Sequence, residues 1–285
     1  MAVGELGRNR AAPFPTWRLL LRKALLVAFP LAALAVAGPA FAATTTVTEA
    51  SLGTDAGEWT AFARDTGAVA FGTDFAAPAG FGSGALQLFT PASNDKANLM
   101  RVPTAAVPLS ALRDASYWTF RSALSTGDVR QTPAINVQID FNGAATGGFS
   151  TLVFEPVYNT DQGAVVQNTW QRWTAGGDDN WWSTKAIGAA PNVDTFPTLD
   201  AIIEANPDAT MGSFGVNAGG GNPGLQGAAD GLTVNGTTYD FGPRVFDKAD
   251  CKDGGWKTMK DSSGQAFASQ GDCVSYYASN GKTHG

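Results

Sequence analysis

Four polar side chains on two predicted strands are the residues of this sequence best suited to chemistry. Asn136, Gln138 and Asp140 alternate with apolar residues from Ala134 to Phe141, and Glu155 follows a second alternating segment. Successive side chains of a strand point to opposite faces of a sheet, so these polar groups are predicted to share the outer face. Amides and carboxylates bind hydroxyl-rich ligands. The pattern predicts either a ligand-binding face or an ordinary solvated one.

A third segment is predicted to extend this polar face. From Tyr117 to Ser122, Trp118 and Phe120 alternate with Tyr117 and Arg121. The two aromatic residues between them suit the core side of a strand, which leaves the phenol and the guanidinium on the outer side. We expect Tyr117 and Arg121 to contact a ligand there.

Tryptophans supply the second binding signal. Trp170 and Trp173 differ in parity, so one of them should be buried and the other exposed. The segments WQRWT and Trp181-Trp182 flank AGGDDN, a pattern typical of a long hairpin with an exposed tip. Trp173 and Trp182 are predicted to be exposed as platforms for sugar rings. The alternative is that all of these tryptophans pack in the core.

The case for catalysis is weaker. Asp140 and Glu155 are the candidates for an acid and base pair, which in glycosidases lie about 5 to 9.5 Å apart. The sole histidine, His284, is the penultimate residue, which argues against Ser-His-Asp, Cys-His and histidine-zinc chemistry. No phosphate-binding loop or dinucleotide fingerprint follows a predicted strand. A polysaccharide hydrolase or lyase therefore stays an alternative to a non-catalytic protein.

Two acidic turns raise the alternative of a structural calcium ion. Asp178 and Asp179 precede Asn180, and Asp230 precedes the last predicted hairpin. Their oxygens are of the kind that calcium takes, but neither turn has the alternating ligand spacing of a dedicated loop. We expect solvated carboxylates and no cofactor.

The N-terminus predicts export. Basic residues precede an apolar run, Ala24 to Ala37, and Ala40-Phe41-Ala42 provides a small-x-small cleavage site. The run is shorter than the about 20 residues that span a bilayer. Cleavage after Ala42 is predicted, with an uncleaved anchor as the alternative. Loss of five basic residues and one acidic residue then changes the formal net charge from −6 to −10. This balance argues against nucleic acid and anionic membranes as partners.

The remaining chain predicts an all-β fold. Short alternating segments recur with glycine-rich turns, which indicates a two-sheet antiparallel β-sandwich of the jelly-roll type. The stretch from Thr198 to Phe241 shows its last part. Thr198 is suited to cap a helix of about two turns, which Pro207 ends. Asn235-Gly236 is typical of a tight hairpin turn between two closing strands.

This last part carries a family resemblance. The segment AADGLTVNG, with Asp230 before the final hairpin, resembles the jelly-roll domains of secreted bacterial proteins in the concanavalin-like and galactose-binding-like group. The resemblance implies a β-sandwich up to Pro243. It also implies carbohydrate binding, since many members of that group are carbohydrate-binding modules.

The C-terminal segment has a different character. Cys251 and Cys273 are the two cysteines of the chain, and an even pair in an exported protein predicts a disulfide rather than free thiols or a metal site. The segment resembles a motif at the ends of many exported bacterial proteins, C-K-x-G-G-W followed by F-x-x-Q-G-x-C-V-S. The resemblance supports secretion.

The sequence thus predicts a leader (residues 1–42), a β-sandwich (residues 43–243) and a disulfide-closed tail (residues 244–285). We expect a secreted, extracellular and monomeric protein that binds a polysaccharide or cell-wall glycan without catalysis. The alternatives are a structural or surface-associated protein without a small ligand and, less favoured, the polysaccharide hydrolase or lyase.

Overall fold

Alternating apolar and polar residues fold into fourteen strands in the computed structural model, counted over the part of the chain that it describes. That part comprises residues 43–143, 147–187, 195–243, 246–257, 259–261 and 265–279. The predicted leader and His284 lie outside it. The strands are β1 (Ala43–Val47), β2 (Trp59–Arg64), β3 (Ala68–Gly72), β4 (Ala85–Thr90), β5 (Lys96–Arg101), β6 (Val107–Pro108), β7 (Ser116–Arg121), β8 (Ala134–Asp140), β9 (Phe149–Phe154), β10 (Trp170–Thr174), β11 (Trp182–Ser183), β12 (Thr210–Ala218), β13 (Leu225–Val234) and β14 (Thr237–Phe241).

The strands form two sheets of seven strands each. In sheet A, β13 pairs with β4, β7 and β14, while β3 joins β4, β10 joins β7 and β1 joins β14. In sheet B the order is β11, β9, β8, β12, β5 and β2, and the short β6 also pairs with β12. Because the chain passes repeatedly from one sheet to the other, the predicted two-sheet jelly-roll sandwich is confirmed.

The core lies between the sheets and follows the predicted alternation of β8. Ile135, Val137 and Ile139 are at most 1% exposed, and they pack with Leu86 and Leu88 of β4 in one hydrophobic cluster. Burying side chains of this size contributes roughly 1.5 to 3 kcal/mol each. The inward face of β8 therefore fixes which of its residues point outward.

The predicted stretch from Thr198 to Phe241 also has the expected elements. The helix α1 (Leu199–Ala205) begins at Thr198, whose hydroxyl accepts a hydrogen bond from the backbone N–H of Ala201 at 3.2 Å. The β13–β14 hairpin turns at Asn235 and Gly236, whose φ angles are 52° and 69°. Two positive φ angles are the geometry for which Asn-Gly is favoured in such turns.

Two features of the strand pairing differ from expectation. The segments around Trp170 and Trp182 do not form one hairpin, because β10 pairs with β7 in sheet A and β11 pairs with β9 in sheet B. The loop between them therefore crosses the sandwich. In addition, β1 pairs with β14 in parallel, whereas the other strand pairs are antiparallel. No local turn connects β1 to β14, so the local sequence could not predict that these two strands pair.

The tail has its own small cluster. The predicted disulfide between Cys251 and Cys273 is present, and both cysteines are buried with Met259, Phe267 and Tyr276. A second helix, α2 (Gln270–Ala278), carries one of the cysteines, although the sequence predicted only one helix in the chain. Ser269 caps α2 by accepting a hydrogen bond from Asp272 N–H. Among the described helices, none is long and apolar enough to cross a bilayer.

Candidate functional site

Amide and hydroxyl side chains gather on the outer face of sheet B. The inward residues of β5, β8, β9 and β12 belong to the core, so the residues between them point away from it. Three neighbouring strands, β5, β8 and β12, contribute five polar side chains at adjacent positions near the centre of the sheet. We call this set the amide face: Asn98, Asn136, Gln138, Ser213 and Asn217.

Gly215 lies at the centre of the amide face. It is opposite Asn136 of β8 and Met100 of β5, and it separates Ser213 from Asn217 along β12. A Cβ atom built on Gly215 would overlap the backbone oxygen of Leu99, so no side chain fits without a backbone shift. The centre of the amide face is therefore bare backbone, with polar side chains on either side of it along β12.

Several polar atoms of the amide face lack partners. Within the described residues, Asn136 Oδ1, Asn217 Oδ1 and Ser213 Oγ are buried atoms without a hydrogen bond. Asn217 is 9% exposed and Ser213 is 4% exposed. A buried polar group without a hydrogen bond costs roughly 1 to 3 kcal/mol. Three such atoms on two adjacent strands are the arrangement expected where hydroxyl groups of a ligand complete the hydrogen bonds.

Glu155 and Trp182 form one end of this surface. Trp182 pairs with Val153, an outward residue of β9, and its Nε1–H donates a hydrogen bond of 2.9 Å to Glu155 Oε2. Burial raises the pKa of the Glu155 carboxyl, and the hydrogen bond from Trp182 opposes that shift. The carboxylate also contributes to the raised pKa of the Tyr158 hydroxyl, whose main cause is burial. This end offers an acceptor beside a partly buried aromatic ring.

Asp140 and Phe149 form the other end. They are opposite each other in the β8–β9 pair, and a small cleft of about 190 Å³ lies beside them, lined also by Gln138 and Gly212. Phe149 is 51% exposed. The ammonium of Lys185 lies 5.1 Å from the centre of its ring. A half-exposed aromatic ring beside a carboxylate and an amide can hold the CH face and the hydroxyls of a sugar.

The separation of the two ends argues against the predicted catalytic pair. Ile135 lies opposite Phe154, so Glu155 comes level with Ala134, whereas Asp140 is six positions further along β8. At about 3.4 Å per residue this is roughly 20 Å between the two backbones. Glycosidase carboxylates lie about 5 to 9.5 Å apart. Asp140 and Glu155 thus suit opposite ends of an extended binding surface.

The predicted orientation of β7 is wrong. Tyr117 is 0% exposed and Arg121 is 1% exposed, because both side chains point into the core. Tyr117 Oη donates to Pro133 O at 2.7 Å, and Arg121 Nη2 donates to Gly127 O at 2.9 Å, while Nε and Nη1 of Arg121 are buried without a partner in the described residues. Neither side chain reaches the outer face. Burial also raises the pKa of Tyr117 and lowers that of Arg121.

The predicted exposure of Trp173 is also wrong. Trp173 is 1% exposed and donates from Nε1 to Thr119 Oγ1 at 2.8 Å. The parity argument itself holds, because Trp170 is the partly exposed member of that pair. Trp182 is partly buried on the outer side of β11, so its role as a platform stays a prediction. Of the eight predicted ligand-binding residues, the outer face of sheet B thus carries Asn136, Gln138, Asp140, Glu155 and Trp182.

The candidate metal ligands lie in separate places. Asp179 accepts hydrogen bonds from Gln162, Thr174 and the backbone of Gly176, and so braces its own loop. Asp230 is 0% exposed within sheet A. Over the described ranges, no group of three or more His, Cys, Asp or Glu side chains could hold a metal ion together. The expectation of a solvated carboxylate is wrong for Asp230, because its side chain is buried within sheet A.

Phe149 and Ser213 are residues of this surface that the sequence-based site omitted. Ser213 shares the parity of Gly215 and Asn217, and Phe149 shares the parity of Glu155, so the alternation carried the signal for both. Both residues lie near β8 because β9 and β12 pair with it, and local alternation does not predict strand pairing.

Comparisons with known proteins add little. No family model matches the chain, and no curated protein matches it. A solved structure of a family 11 carbohydrate-binding module from Clostridium thermocellum, in complex with a β-1,3-1,4-mixed-linked tetrasaccharide, is similar at 10% sequence identity. The match covers 63% of this chain and 89% of that chain, with a TM-score of 0.33. A score this low carries no functional conclusion, so function is inferred below from the residues of this chain.

Proposed function

We propose that this chain is an exported, non-catalytic protein that binds a neutral carbohydrate polymer, such as a cell-envelope glycan, across the outer face of sheet B. The polymer would lie along the amide face between the Glu155 end and the Asp140 end. The two ends are roughly 20 Å apart, which suits an extended chain better than a single sugar.

The observation that carries this proposal is the set of unpartnered atoms on the amide face. Asn136 Oδ1, Asn217 Oδ1 and Ser213 Oγ have no hydrogen bond within the described residues. Ordinary solvated sheet faces alternate in the same way, but only a few buried polar atoms per 100 residues lack partners in native proteins, and three of those described here lie together on this face. Sugar hydroxyls donate and accept hydrogen bonds, and they would satisfy these buried atoms once the side chains rotate towards the ligand.

A neutral ligand is favoured by the charges around the amide face. The carboxyl groups of Glu155 and Asp140 lie at its ends, and Lys185 faces the Phe149 ring at 5.1 Å rather than the central amides. Lys96 and Arg64 are opposite each other at the β2 edge, beyond Asn98. An anionic polymer would need clustered Lys or Arg side chains, because their charge-assisted hydrogen bonds offset the free-energy cost of desolvating its anionic groups. Hydroxyl groups require only acceptors and donors of the amide type.

The test is binding of the mature chain to a panel of insoluble cell walls and soluble neutral oligosaccharides. We expect saturable binding to at least one member. A double variant, Asn136→Ala with Asn217→Ala, should weaken that binding roughly tenfold or more, since each lost hydrogen bond contributes about 0.5 to 1.5 kcal/mol. Phe149→Ala should weaken it through loss of the ring platform.

Asn94→Ala is the matched control, because Asn94 is an exposed amide in the turn before β5. It should bind like the wild type. Absence of binding to every member of the panel would contradict the proposal, as would equal binding by the control and the double variant. Release of reducing ends by the wild type would favour the hydrolase or lyase instead. Obstruction of the amide face in the mature protein would favour a structural or surface-associated role.

Export is the second part of the proposal. It rests on the leader-like residues 1–42 and on the disulfide between Cys251 and Cys273, since disulfides persist in oxidising compartments. Protein recovered from the medium of an expressing bacterium should begin at Ala43. Retention of an intact leader in membranes would contradict it.

A further inference from the structure

A larger cleft lies at the open edge between the two sheets. Its volume is about 750 Å³, within the range of about 300 to 1,000 Å³ that is usual for small-molecule sites. Sheet A contributes β1 and β14 to its wall, and sheet B contributes β2, the end of β5 and β6. We call it the Arg101 cleft. Because its wall joins strands from both ends of the chain, no local motif predicts it.

Aromatic side chains form the floor of the Arg101 cleft. The ring of Trp59 lies 5.1 Å from that of Tyr239 and 5.9 Å from that of Phe214, with edge-on geometry in both pairs. Trp59 is 3% exposed and Tyr239 is 6% exposed. Hydroxyl side chains of the inward parity line the wall above this floor, including those of Thr45 and Thr237. A floor of rings and a wall of hydroxyls suit a ligand with both CH and OH surfaces.

Arg101 brings a positive charge into this setting. It has the parity of the core residue Leu99, so its side chain points inward at the edge of the sandwich. Its Nε donates to Gly57 O at 3.1 Å, and Nη1 donates to Tyr239 Oη at 3.4 Å. The guanidinium carbon lies 5.6 Å from the centre of the Tyr239 ring. These contacts hold the group in one place.

No carboxylate neutralises Arg101 within the described residues. The ion pairs found there are Arg64–Asp65, Arg113–Asp200 and Arg130–Asp128. Glu58 is an acidic residue of the cleft wall, but its Oε2 accepts a hydrogen bond of 3.0 Å from Asp55 N–H in its own loop. A fixed guanidinium with a free edge is the usual partner of a planar carboxylate.

We propose that the Arg101 cleft binds a polyhydroxylated carboxylate of the hexuronate class. The carboxylate would pair with the Arg101 guanidinium, and the hydroxyls would reach Thr45 and Thr237. This site is separate from the amide face and takes a charged sugar acid, whereas the amide face takes a neutral polymer. A competing explanation is that an inward charge only protects the sheet edges from pairing with other chains.

The experiment is calorimetric titration of the mature protein with glucuronate, with glucose and acetate as partial ligands. We expect glucuronate to bind saturably. Each partial ligand should bind at least about tenfold more weakly than glucuronate, because each lacks one half of the recognised chemistry. Arg101→Gln should reduce glucuronate affinity about tenfold or more, in line with a hydrogen bond to a charged group. Raising the salt concentration should also weaken it.

Arg113→Gln is the matched control, since Arg113 is a surface arginine outside the cleft, and it should leave glucuronate affinity unchanged. Circular dichroism must show the wild-type unfolding transition for Arg101→Gln; otherwise Arg101→Lys, which keeps the charge but loses the planar fork, takes its place with the same expected direction. The amide-face double variant should keep glucuronate affinity, so this result is distinct from failure of the proposed function. No binding of glucuronate, or equal affinity in both arginine variants, would overturn the proposal. Tighter binding of triglycine than of glucuronate would replace the sugar acid by a peptide carboxylate and overturn it as well.

Discussion

Replacing Asp230 by asparagine is expected to remove a strong pH dependence of stability. Asp230 is 0% exposed within sheet A, and its Oδ1 accepts hydrogen bonds of 2.7 Å from the backbone N–H groups of Gly231 and Phe241. Oδ2 is buried without a partner in the described residues. Burial raises the pKa of this carboxyl from 3.8 to about 8, and the two backbone donors only partly oppose the shift.

The direction of the effect follows from proton uptake on folding. Between the unfolded pKa of 3.8 and the folded pKa of about 8, the folded chain holds a proton on Asp230 that the unfolded chain has lost. Stability from this group is therefore fully present below pH 3.8 and is lost as the pH rises towards about 8. Each pKa unit corresponds to about 1.4 kcal/mol, so the total is roughly 6 kcal/mol.

The side-chain amide introduced by Asp230→Asn would keep the acceptor and carry no charge, so the variant should lack this pH dependence. Urea unfolding from about pH 5 to about pH 7 should lower the wild-type free energy of unfolding by roughly 3 kcal/mol more than that of the variant. Asp178→Asn, which changes an exposed carboxylate, should follow the wild type. Parallel curves for the wild type and Asp230→Asn would refute the reasoning.

Three further predictions concern single contacts. Gly215→Ala should lower the free energy of unfolding by roughly 2 kcal/mol or more, because its Cβ would overlap Leu99 O; an unchanged urea midpoint would contradict this. Trp182→Phe removes the hydrogen bond from Nε1 that lowers the pKa of Glu155, so a carbon-13 carboxyl titration should give a higher value, and an equal or lower one would refute the contact. Cys273→Ser opens a disulfide loop with a sequence separation of 22, and closing such a loop contributes about 3 kcal/mol in chain-entropy terms. Protease should therefore cut the tail of the variant faster, while the unfolding transition of the sandwich stays unchanged, because the tail has its own cluster. A large shift of the sandwich transition would contradict this and show that the tail supports the sandwich.

The fold and part of the site were predictable from alternation alone. Ile135, Val137 and Ile139 face the core, so Asn136 and Gln138 had to face outward. The Asn-Gly turn and the capped helix followed in the same way from local chemistry. These successes share one condition: the sheet face opposite the core is polar, so hydrophobicity identifies the inner side.

The prediction for β7 failed because that condition does not hold in sheet A. Phe120 points outward there and stacks on Phe75 at 5.1 Å, and it also contacts Trp170 at 5.6 Å. Sheet A thus has apolar residues on both faces, since the loop after β3 covers part of its outer side. The polar residues Tyr117 and Arg121 lie inside, where the Tyr117 hydroxyl and one Arg121 nitrogen have backbone partners. Alternation shows that a strand has two faces, but it does not predict which face a loop from elsewhere in the chain will cover.

The Arg101 cleft was beyond sequence reasoning for a similar reason. Arg101 and Tyr239 are 138 positions apart, and they meet only because β1 and β14 close the edge of sheet A beside β5 of sheet B. β5 itself gave no clear signal between two turn-rich stretches. Sites formed by such long-range pairing depend on topology.

The most direct test of carbohydrate binding is a nitrogen-15 NMR titration that follows side-chain amide resonances during addition of soluble neutral oligosaccharides. Asn136 and Asn217 have unpartnered Oδ1 atoms, so a bound sugar hydroxyl should shift both amide groups in a saturable way, together with the backbone of Gly215. Resonances of Asn94 should not move. Saturable shifts that spare Asn136 and Asn217, or no shifts with any oligosaccharide tested, would contradict the account.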